Sequence, residues 1–248
     1  MFFTYPRISP RCLLNYVLSV IFVIAVFGGC SSEAKGPKYE IFPPAGGKGA
    51  IVVVASGNSG PGLYRDFSPN LAALGYYWVL MDGKYLFDPG SIGLIVPAME
   101  NLQAVIAESK SSPQAIPGKV SLVGFSVGGA GVLAYGTKLK EQVSAVVAYY
   151  PAITTLGRDM KTLAAGFQTP VLVFAGEEDR YHNCCLIESM RDLAKAPKSV
   201  PFELVEYPEA HHGFDIKSLP FAYRPEDAAY SWARTVAFLK RLHPPGAK

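Results

Sequence analysis

The hydrophobic and polar positions of the chain alternate between two kinds of segment. Short runs rich in β-branched and aromatic residues predict strands, and the stretches between them carry apolar residues at helical spacing. Six strands are predicted, at residues 50–56, 76–82, 119–125, 143–150, 170–176 and 201–207. Helices are predicted around residues 63–74, 92–109, 127–140, 156–166, 184–195 and 226–242.

Several of the strand segments are apolar almost throughout, as in "AIVVVAS" and "PVLVFAG". Such runs are typical of parallel strands that helices cover on both faces. Because strands alternate with helices, the chain is predicted to form right-handed βαβ units in one α/β domain with a doubly wound, mostly parallel sheet. Only about twenty residues separate the strands at 143–150 and 170–176, enough for one crossover helix, so no large cap is expected.

The N-terminal segment up to residue 29 has the order of an export signal. Two arginines, Arg7 and Arg11, precede the apolar run "LLNYVLSVIFVIAVF" and the small residues "GGC". Positive charge, an apolar stretch and small residues at the cleavage site are the three parts of a secretory signal peptide. The apolar run is at the short end for a membrane-spanning helix, which needs about 20 residues.

The stretch "FGGC" followed by "SSEAKG" resembles the lipobox of a bacterial lipoprotein. This resemblance implies a lipoprotein-type signal peptide over residues 1–29, lipidation of Cys30, and a lipidated tether over residues 30–47. The folded domain is then residues 48–248, held at a membrane of the cell envelope by its N-terminal lipid, and Ser31 beside the cysteine favours the outer membrane. An uncleaved membrane anchor is the alternative, and it also places the domain outside the cytoplasm.

The net charge and the cysteine content limit the kinds of ligand that the protein is expected to bind. Without Arg7 and Arg11 the 23 basic residues become 21, against 20 acidic residues, and no basic stripe remains. This balance argues against a nucleic-acid partner. Cys184 and Cys185 form either a vicinal disulfide in an oxidising compartment or a pair of small buried thiols, and no cysteine spacing suggests a zinc site.

Residues with catalytic chemistry collect just after the predicted strands, where parallel sheets bind their ligands. The strand at 119–125 runs into a helix through G-F-S-V-G at residues 124–128, which matches the G-x-S-x-G of a nucleophile elbow. Ser126 is therefore the candidate nucleophile. The N-terminus of the following helix offers the backbone N–H of Val127 to a developing oxyanion.

A serine nucleophile needs a histidine base that is itself held by a carboxylate. For this type of elbow the chain order is serine, then aspartate or glutamate, then histidine. The strand at 170–176 runs into "EEDRYHN" and the strand at 201–207 into "PEAHHGF", and both loops emerge at the sheet edge of Ser126. The chain order and the position of these loops after their strands leave two sets of candidates. The acid is Glu177, Glu178 or Asp179, and the base is His211 or His212. His182 stands in the wrong order, and His243 lies in a polar tail.

The region from about residue 48 to 242 resembles the α/β-hydrolase fold, and within it the dienelactone hydrolase-like family. The resemblance is carried by "GFSVGG", by "GEED" at 176–179 and by "YPEAHHGF" at 207–214. In that family the acid follows its strand in a G-x-x-D pattern and the histidine immediately precedes Gly-Phe, which implies Asp179 as the acid and His212 as the base. The family's founding enzymes have a cysteine at the elbow. This chain has Ser126, so the dienelactone substrate itself is not implied.

The second oxyanion donor is expected in the loop "SGNSGPG" after the first core strand. Many relatives carry His-Gly here, and aligning Gly57 with that glycine implies the backbone N–H of Asn58 as the donor, with Ser56 in place of the histidine. An ordinary glycine-rich turn is the alternative. For the second histidine of the pair, His211, either a hydrogen-bonding role or surface packing is open, and Asp215 is a candidate to orient it.

These features predict a serine hydrolase that cleaves small carboxylic esters or lactones through an acyl-serine intermediate. No metal or organic cofactor is implied, and the partner is a small-molecule ester or lactone. Two alternatives remain: a serine peptidase or acyltransferase with the same residues, and an inactive hydrolase-fold envelope or binding protein. Aromatic residues at the same edge either wall the site or pack in the core: Tyr64, Tyr85, Phe87, Tyr149, Tyr150, Tyr181 and Phe214.

Overall fold

The apolar runs of the chain form strands that pair into a single sheet. The structure is a computed structural model, which describes residues 36–87 and 97–246. Seven strands belong to it: β1 Tyr39–Phe42, β2 Ala50–Ala55, β3 Tyr76–Met81, β4 Val120–Phe125, β5 Val143–Tyr149, β6 Val171–Gly176 and β7 Phe202–Tyr207. Their order is β1-β3-β2-β4-β5-β6-β7. β1 is antiparallel to β3, and the other neighbours are parallel.

Helices follow most of the strands, as expected where parallel strands need crossover connections. They are α1 Ser68–Ala73, α2 Ala98–Ser111, α3 Val127–Ala134, α4 Met160–Ala165, α5 Ile187–Lys195 and α6 Pro225–Leu242. A seven-residue 3-10 helix lies at Pro61–Phe67. Single turns of 3-10 helix lie at Gly83–Tyr85, Gly136–Lys138, Thr154–Leu156 and Tyr181–Asn183.

The sheet separates two hydrophobic cores, because successive side chains of a strand point to opposite faces. Ile51 and Val53 of β2 face the core that α2, α3, α4 and α5 cover. Val52 and Val54 of the same strand face a core rich in tyrosine and phenylalanine, which α1 and α6 cover. The predicted doubly wound α/β architecture with helices on both faces is thus confirmed.

The crossover between β5 and β6 contains only the turn Thr154–Leu156 and the short helix α4. These elements pack against the sheet on the α3–α5 side. The expected absence of a large cap at this crossover is therefore confirmed, and the loops after the strands form the mouth of the site.

The start of the folded domain differs from the predicted boundary. The prediction assigns residues 30–47 to a tether, yet Tyr39–Phe42 form edge strand β1, and Glu40 of that strand pairs with Arg65. The folded unit therefore includes residue 39. The predicted signal peptide over 1–29 and the lipidation of Cys30 lie outside the described residues. Within residues 36–87 and 97–246 no helix is long and apolar enough to span a membrane.

Candidate active site

Ser126 occupies a sharp turn between β4 and α3. Its backbone has φ 53° and ψ −115°, a conformation that costs free energy for any residue other than glycine. Three hydrogen bonds hold it there: its N–H donates to the Tyr149 carbonyl, and its own carbonyl accepts from the N–H groups of Ala130 and Ala152. Strain that the surrounding chain maintains in this way is typical of a residue presented for chemistry.

Glycines on either side make this turn possible. A Cβ atom on Gly128 would come closer to the carbonyl oxygens of Ala55 and Ser56 than van der Waals contact allows. A Cβ on Gly124 would lie 2.5 Å from the Gly128 carbonyl oxygen. The glycines of the motif thus let α3 lie directly against β4 and β2.

The structure brings Ser126, His212 and Asp179 together in one hydrogen-bonded line. His212 Nε2 lies 3.1 Å from Ser126 Oγ, and His212 Nδ1 lies 2.7 Å from Asp179 Oδ2. Asp179 is fully buried and Ser126 is 3% exposed, whereas the His212 ring keeps some contact with solvent. With an N–H at Nδ1 donating to the carboxylate, Nε2 is left as the base that faces the serine hydroxyl.

Two loops deliver the acid and the base to the serine. The acid loop, residues 177–186, follows β6, and the histidine loop, residues 208–224, follows β7. Glu177 N–H donates to the Tyr207 carbonyl and Glu178 N–H to the Ala210 carbonyl, which joins the two loops along the sheet edge. Because the strands are neighbours and parallel, both loops leave the sheet on the side of the elbow.

Two tyrosine rings enclose the His212 imidazole. Tyr181 stacks on it with ring centroids 4.5 Å apart and planes 10° from parallel, and Tyr150 meets it edge to face at 4.7 Å. Tyr181 also donates its backbone N–H to Asp179 Oδ1. The ring is therefore held by packing on two sides as well as by its carboxylate.

The other carboxylates of the acid loop are engaged elsewhere or point to solvent. Glu177 lies 3.1 Å from the guanidinium of Arg191. Glu178 is exposed and contributes its backbone carbonyl to His211 Nδ1 at 2.9 Å. Asp179 is thus the one acidic side chain of this loop that reaches the His212 ring.

The remaining histidines stay away from the serine. His211 is exposed and ties the histidine loop to the acid loop through its Glu178 contact. His182 is exposed in a turn with φ 48°. His243 caps the end of α6, where its Nδ1 lies 2.9 Å from Ser121 Oγ, and burial lowers its pKa. It therefore anchors the C-terminal helix to the sheet instead of lying in a loose tail.

The two predicted oxyanion donors come from the start of α3 and from the loop after β2. Val127 is the first residue of α3, where backbone N–H groups have no partner within the helix. Asn58 lies in the exposed turn after β2 and lines the same cavity as Ser126. Ser56 is fully buried, and its hydroxyl donates to the Gly57 carbonyl and accepts from the Gly83 N–H. It thus braces the loop that presents Asn58.

A cavity of about 160 Å³ opens beside the serine. Its walls are contributed by three loops, those after β2, β6 and β7, together with the elbow. The lining residues are Asn58, Ser59, Leu63, Tyr64, Ser126, Tyr181, His212, Ile216 and Leu219. A second cavity of about 300 Å³ lies on the other side of Leu63, Tyr64 and Ile216, which line both.

The half-buried carboxylate of Asp215 lies behind this wall. The Tyr150 hydroxyl donates to Asp215 Oδ1 at 2.8 Å. Desolvation by the surrounding protein raises the pKa of Asp215 to about 6, against the lowering effects of the Tyr150 hydrogen bond and of nearby His212. Asp215 therefore accepts a hydrogen bond from Tyr150. The predicted contact between Asp215 and His211 is not formed.

Cys184 and Cys185 are joined in a vicinal disulfide at the end of the acid loop. Their sulfurs and a ring nitrogen of His212 lie within 4.8 Å of one another. Among the described residues this is the one group of three that could hold a metal ion, and the bond between the sulfurs removes two of its ligands in this state. The disulfide belongs to the buried core next to His212.

A strand-to-helix elbow that presents a serine to a histidine and an aspartate from the next strand ends defines an α/β hydrolase. The profile of the dienelactone hydrolase family matches residues 95–243, more than half of the chain. The chain belongs to the dienelactone hydrolase family, as its sequence motifs predict, and is a hydrolase of the ester- and lactone-cleaving type.

Individual relatives are distant. A Methylorubrum extorquens protein named "Putative carboxymethylenebutenolidase" is 26% identical over 220 residues, which are 80% of this chain and 74% of that protein. Esterase 2 of Thermogutta terrifontis, solved with propionate bound, superposes with a TM-score of 0.61 at 19% identity over 85% of this chain and 91% of that one. Est1E of Butyrivibrio proteoclasticus gives 0.59 at 14% identity over 80% and 94%. At these identities the structural matches show the shared fold.

Proposed function

We propose that this protein hydrolyses small carboxylic esters or lactones through a covalent acyl-Ser126 intermediate, with Ser126, His212 and Asp179 as its catalytic triad. The observation that carries the proposal is the continuous hydrogen-bonded line from Ser126 Oγ through His212 to the buried Asp179 carboxylate. A weak hydroxyl nucleophile becomes effective when a base takes its proton and a carboxylate fixes the tautomer of that base.

The proposed reaction has two halves. As Ser126 Oγ bonds to the carbonyl carbon, His212 Nε2 takes the hydroxyl proton, and the backbone N–H groups of Val127 and Asn58 stabilise the oxyanion. The tetrahedral adduct then collapses, the bond to the alcohol oxygen breaks, and His212 returns the proton to that oxygen. Water, deprotonated by the same nitrogen, then attacks the acyl carbon. The bond from that carbon to Ser126 Oγ breaks, His212 gives the proton to Oγ, and the acid is released.

The form of the site favours a small acyl group. The cavity of about 160 Å³ is smaller than the roughly 300–1,000 Å³ of typical small-molecule pockets. No cap covers it at the β5–β6 crossover, so the alcohol portion of an ester has room to protrude. The bound propionate in the Thermogutta terrifontis esterase is an acyl group of the size we propose here.

The test is hydrolysis of a panel of p-nitrophenyl esters of increasing acyl length, with peptide p-nitroanilides beside it, by wild type and Ser126→Ala. We expect ester turnover in the wild type, a loss of kcat by at least about three orders of magnitude in the variant, and an unchanged melting temperature. Faster cleavage of the anilides would identify a peptidase instead. Ester turnover retained by Ser126→Ala would contradict the mechanism.

A fluorophosphonate probe provides a test that does not depend on the choice of substrate. The same fold in Thermogutta terrifontis esterase 2 has been solved after phosphorylation by paraoxon. We expect mass spectrometry to find the probe on the peptide containing Ser126, and to find none in Ser126→Ala. A folded wild type that resists labelling would favour the inactive binding protein.

We further propose that the protein is exported and anchored in the bacterial cell envelope through a lipid on Cys30. The support is the order of charged, apolar and small residues before "CSSEAKG". Mass spectrometry of the N-terminal peptide from membrane fractions should find a diacylglyceryl group on Cys30. Cys30→Ser should release the protein from the membrane or leave the signal uncleaved. An unmodified Cys30 within a mature chain would contradict this.

A further inference from the structure

The vicinal disulfide Cys184–Cys185 lies against the proposed base. Its two sulfurs and a ring nitrogen of His212 are all within 4.8 Å of one another. Backbone hydrogen bonds hold Cys184 in this position: its N–H donates to the Tyr181 carbonyl, and its carbonyl accepts from the Thr154 N–H. The backbone beside the imidazole is thus held by contacts other than the S–S bond.

Two thiolates and one imidazole are a ligand set that Zn²⁺ takes in proteins, with water in the fourth position. With Zn–S bonds of about 2.3 Å and Zn–N bonds of about 2.0–2.1 Å, the ligand atoms of one tetrahedral ion lie roughly 3.5–4 Å apart. In the disulfide the sulfurs are bonded to each other, so neither is available as a thiolate. Reduction frees both sulfurs to separate to the spacing that an ion needs, with the ring nitrogen of His212 already close.

We propose that reduced Cys184 and Cys185, together with His212, bind one thiophilic divalent cation of the class of Zn²⁺ and Cd²⁺, and that the bound ion inhibits ester hydrolysis. The metal site stands on the ligand geometry alone. Its inhibitory effect rests on the proposed function, in which His212 is the base. The disulfide closes the metal site, so the oxidised protein is the form that the ion does not inhibit.

Two reactions form the site. A dithiol reductant attacks the S–S bond and becomes a disulfide itself, and its two electrons and two protons end on the thiols of Cys184 and Cys185. Cys184 is 8% exposed and Cys185 is 1% exposed, so Cys184 is the expected point of attack. The ion then binds both sulfurs as thiolates, and the two thiol protons leave to solvent.

An ion on the imidazole removes the base whichever nitrogen it takes. A neutral imidazole has one protonated nitrogen and one with a free lone pair. An ion on Nε2 occupies the lone pair that faces Ser126 Oγ. An ion on Nδ1 takes the place of the proton in the Asp179 contact, and the neutral ring then carries its proton on Nε2. In both cases His212 can no longer accept the proton of Ser126.

Cadmium binding tests the site without reference to turnover. The full chain is reduced with dithiothreitol, freed of it by gel filtration and titrated with Cd²⁺ while the ultraviolet absorption of the cadmium–thiolate bond is recorded. We expect reduced wild type to bind one more ion than reduced Cys184→Ser/Cys185→Ser, which keeps Cys12 and Cys30, and the disulfide form to lack this additional ion. His212→Ala should bind it at least about tenfold more weakly. Equal binding by reduced wild type and the double variant, or by wild type and His212→Ala, would overturn the site.

Hydrolysis of p-nitrophenyl acetate tests the inhibition, with each rate compared with the metal-free rate of the same protein. One equivalent of Cd²⁺ should lower the kcat of reduced wild type at least about tenfold, since loss of the base alone costs more than this, and a chelator should restore it. The disulfide form and the reduced double variant should keep their own rates at the same Cd²⁺ concentration.

His211→Ala is the matched control. The exposed His211 is adjacent to His212 but outside the ligand set, so the reduced variant should be inhibited like wild type. Relief of the inhibition in His211→Ala, or turnover lost on reduction before any ion is added, would overturn the inhibitory effect. Absence of ester turnover in every form would remove the proposed hydrolysis, and the cadmium titration would still decide the metal site.

Discussion

At the scale of single residues, the adjacent histidines His211 and His212 have unlike surroundings. His212 lies between a serine, a buried carboxylate and two tyrosine rings, while His211 is exposed and contacts one backbone carbonyl. We therefore expect His212→Ala to lose at least about three orders of magnitude in kcat on an aryl ester. His211→Ala should stay within a few fold of wild type. The opposite result in steady-state kinetics would mean that the base has been assigned one residue out.

Asp215 should also make the stability of the fold depend on pH. Its usual pKa is 3.8 and its pKa in the folded protein is about 6, so the folded state binds the proton more tightly. The associated stability is fully present below pH 3.8 and is lost as the pH rises through 6. Asp215→Asn removes this dependence. The free energy of unfolding of the variant relative to wild type should rise by about 2–3 kcal/mol between pH 4 and pH 8. Urea titrations that give a constant difference would contradict this.

At the scale of elements, the β4–α3 elbow depends on close contact between backbones. Gly128→Ala would press a methyl group against the carbonyls of Ala55 and Ser56, and overpacking of this kind costs about 1–3 kcal/mol. We expect a lower melting temperature and weaker turnover, because α3 must move away from β2 and carries Ser126 with it. Gly62→Ala is the control, since nothing lies within 4 Å of its added Cβ. Equal melting temperatures of the two variants would show that the elbow tolerates the shift.

The sequence predicts most elements because their apolar patterns are strong. The six parallel strands lie within a residue or two of their predicted positions, since β2 to β6 are buried on both faces and read as continuous apolar runs. Edge strand β1 escapes the prediction. It has four residues, with Ile41 exposed and its neighbours half-buried, so it carries no pattern, and it is held by backbone pairing to β3.

At the scale of the whole molecule, the positions of Ser126, Asp179 and His212 are predictable because parallel strands deliver their C-terminal ends to one edge. The assignment of their catalytic roles stays a prediction until the variants are measured. The Tyr150–Asp215 hydrogen bond and the nearness of the Cys184–Cys185 disulfide to His212 could not be predicted. They depend on how separate loops pack side by side, which no periodicity in any one segment records.

The two neighbouring cavities predict how acyl length should affect turnover. The cavity beside Ser126 is about 160 Å³, and a wall of Leu63, Tyr64 and Ile216 separates it from one of about 300 Å³. Acetyl to butyryl groups fit the first cavity, whereas an octanoyl chain must displace the wall. We expect kcat/KM on p-nitrophenyl esters to fall at least about tenfold from butyrate to octanoate.

Removing part of the wall should weaken that preference. Ile216→Ala joins the two cavities, so the octanoate-to-butyrate ratio of kcat/KM should rise several fold even if the truncation costs about 2–4 kcal/mol of stability. Leu219→Ala is the matched control, because Leu219 lines the cavity beside Ser126 and not the larger one. If both variants shift the ratio equally, the added room comes from the mouth of the site, and the second cavity does not receive the acyl chain.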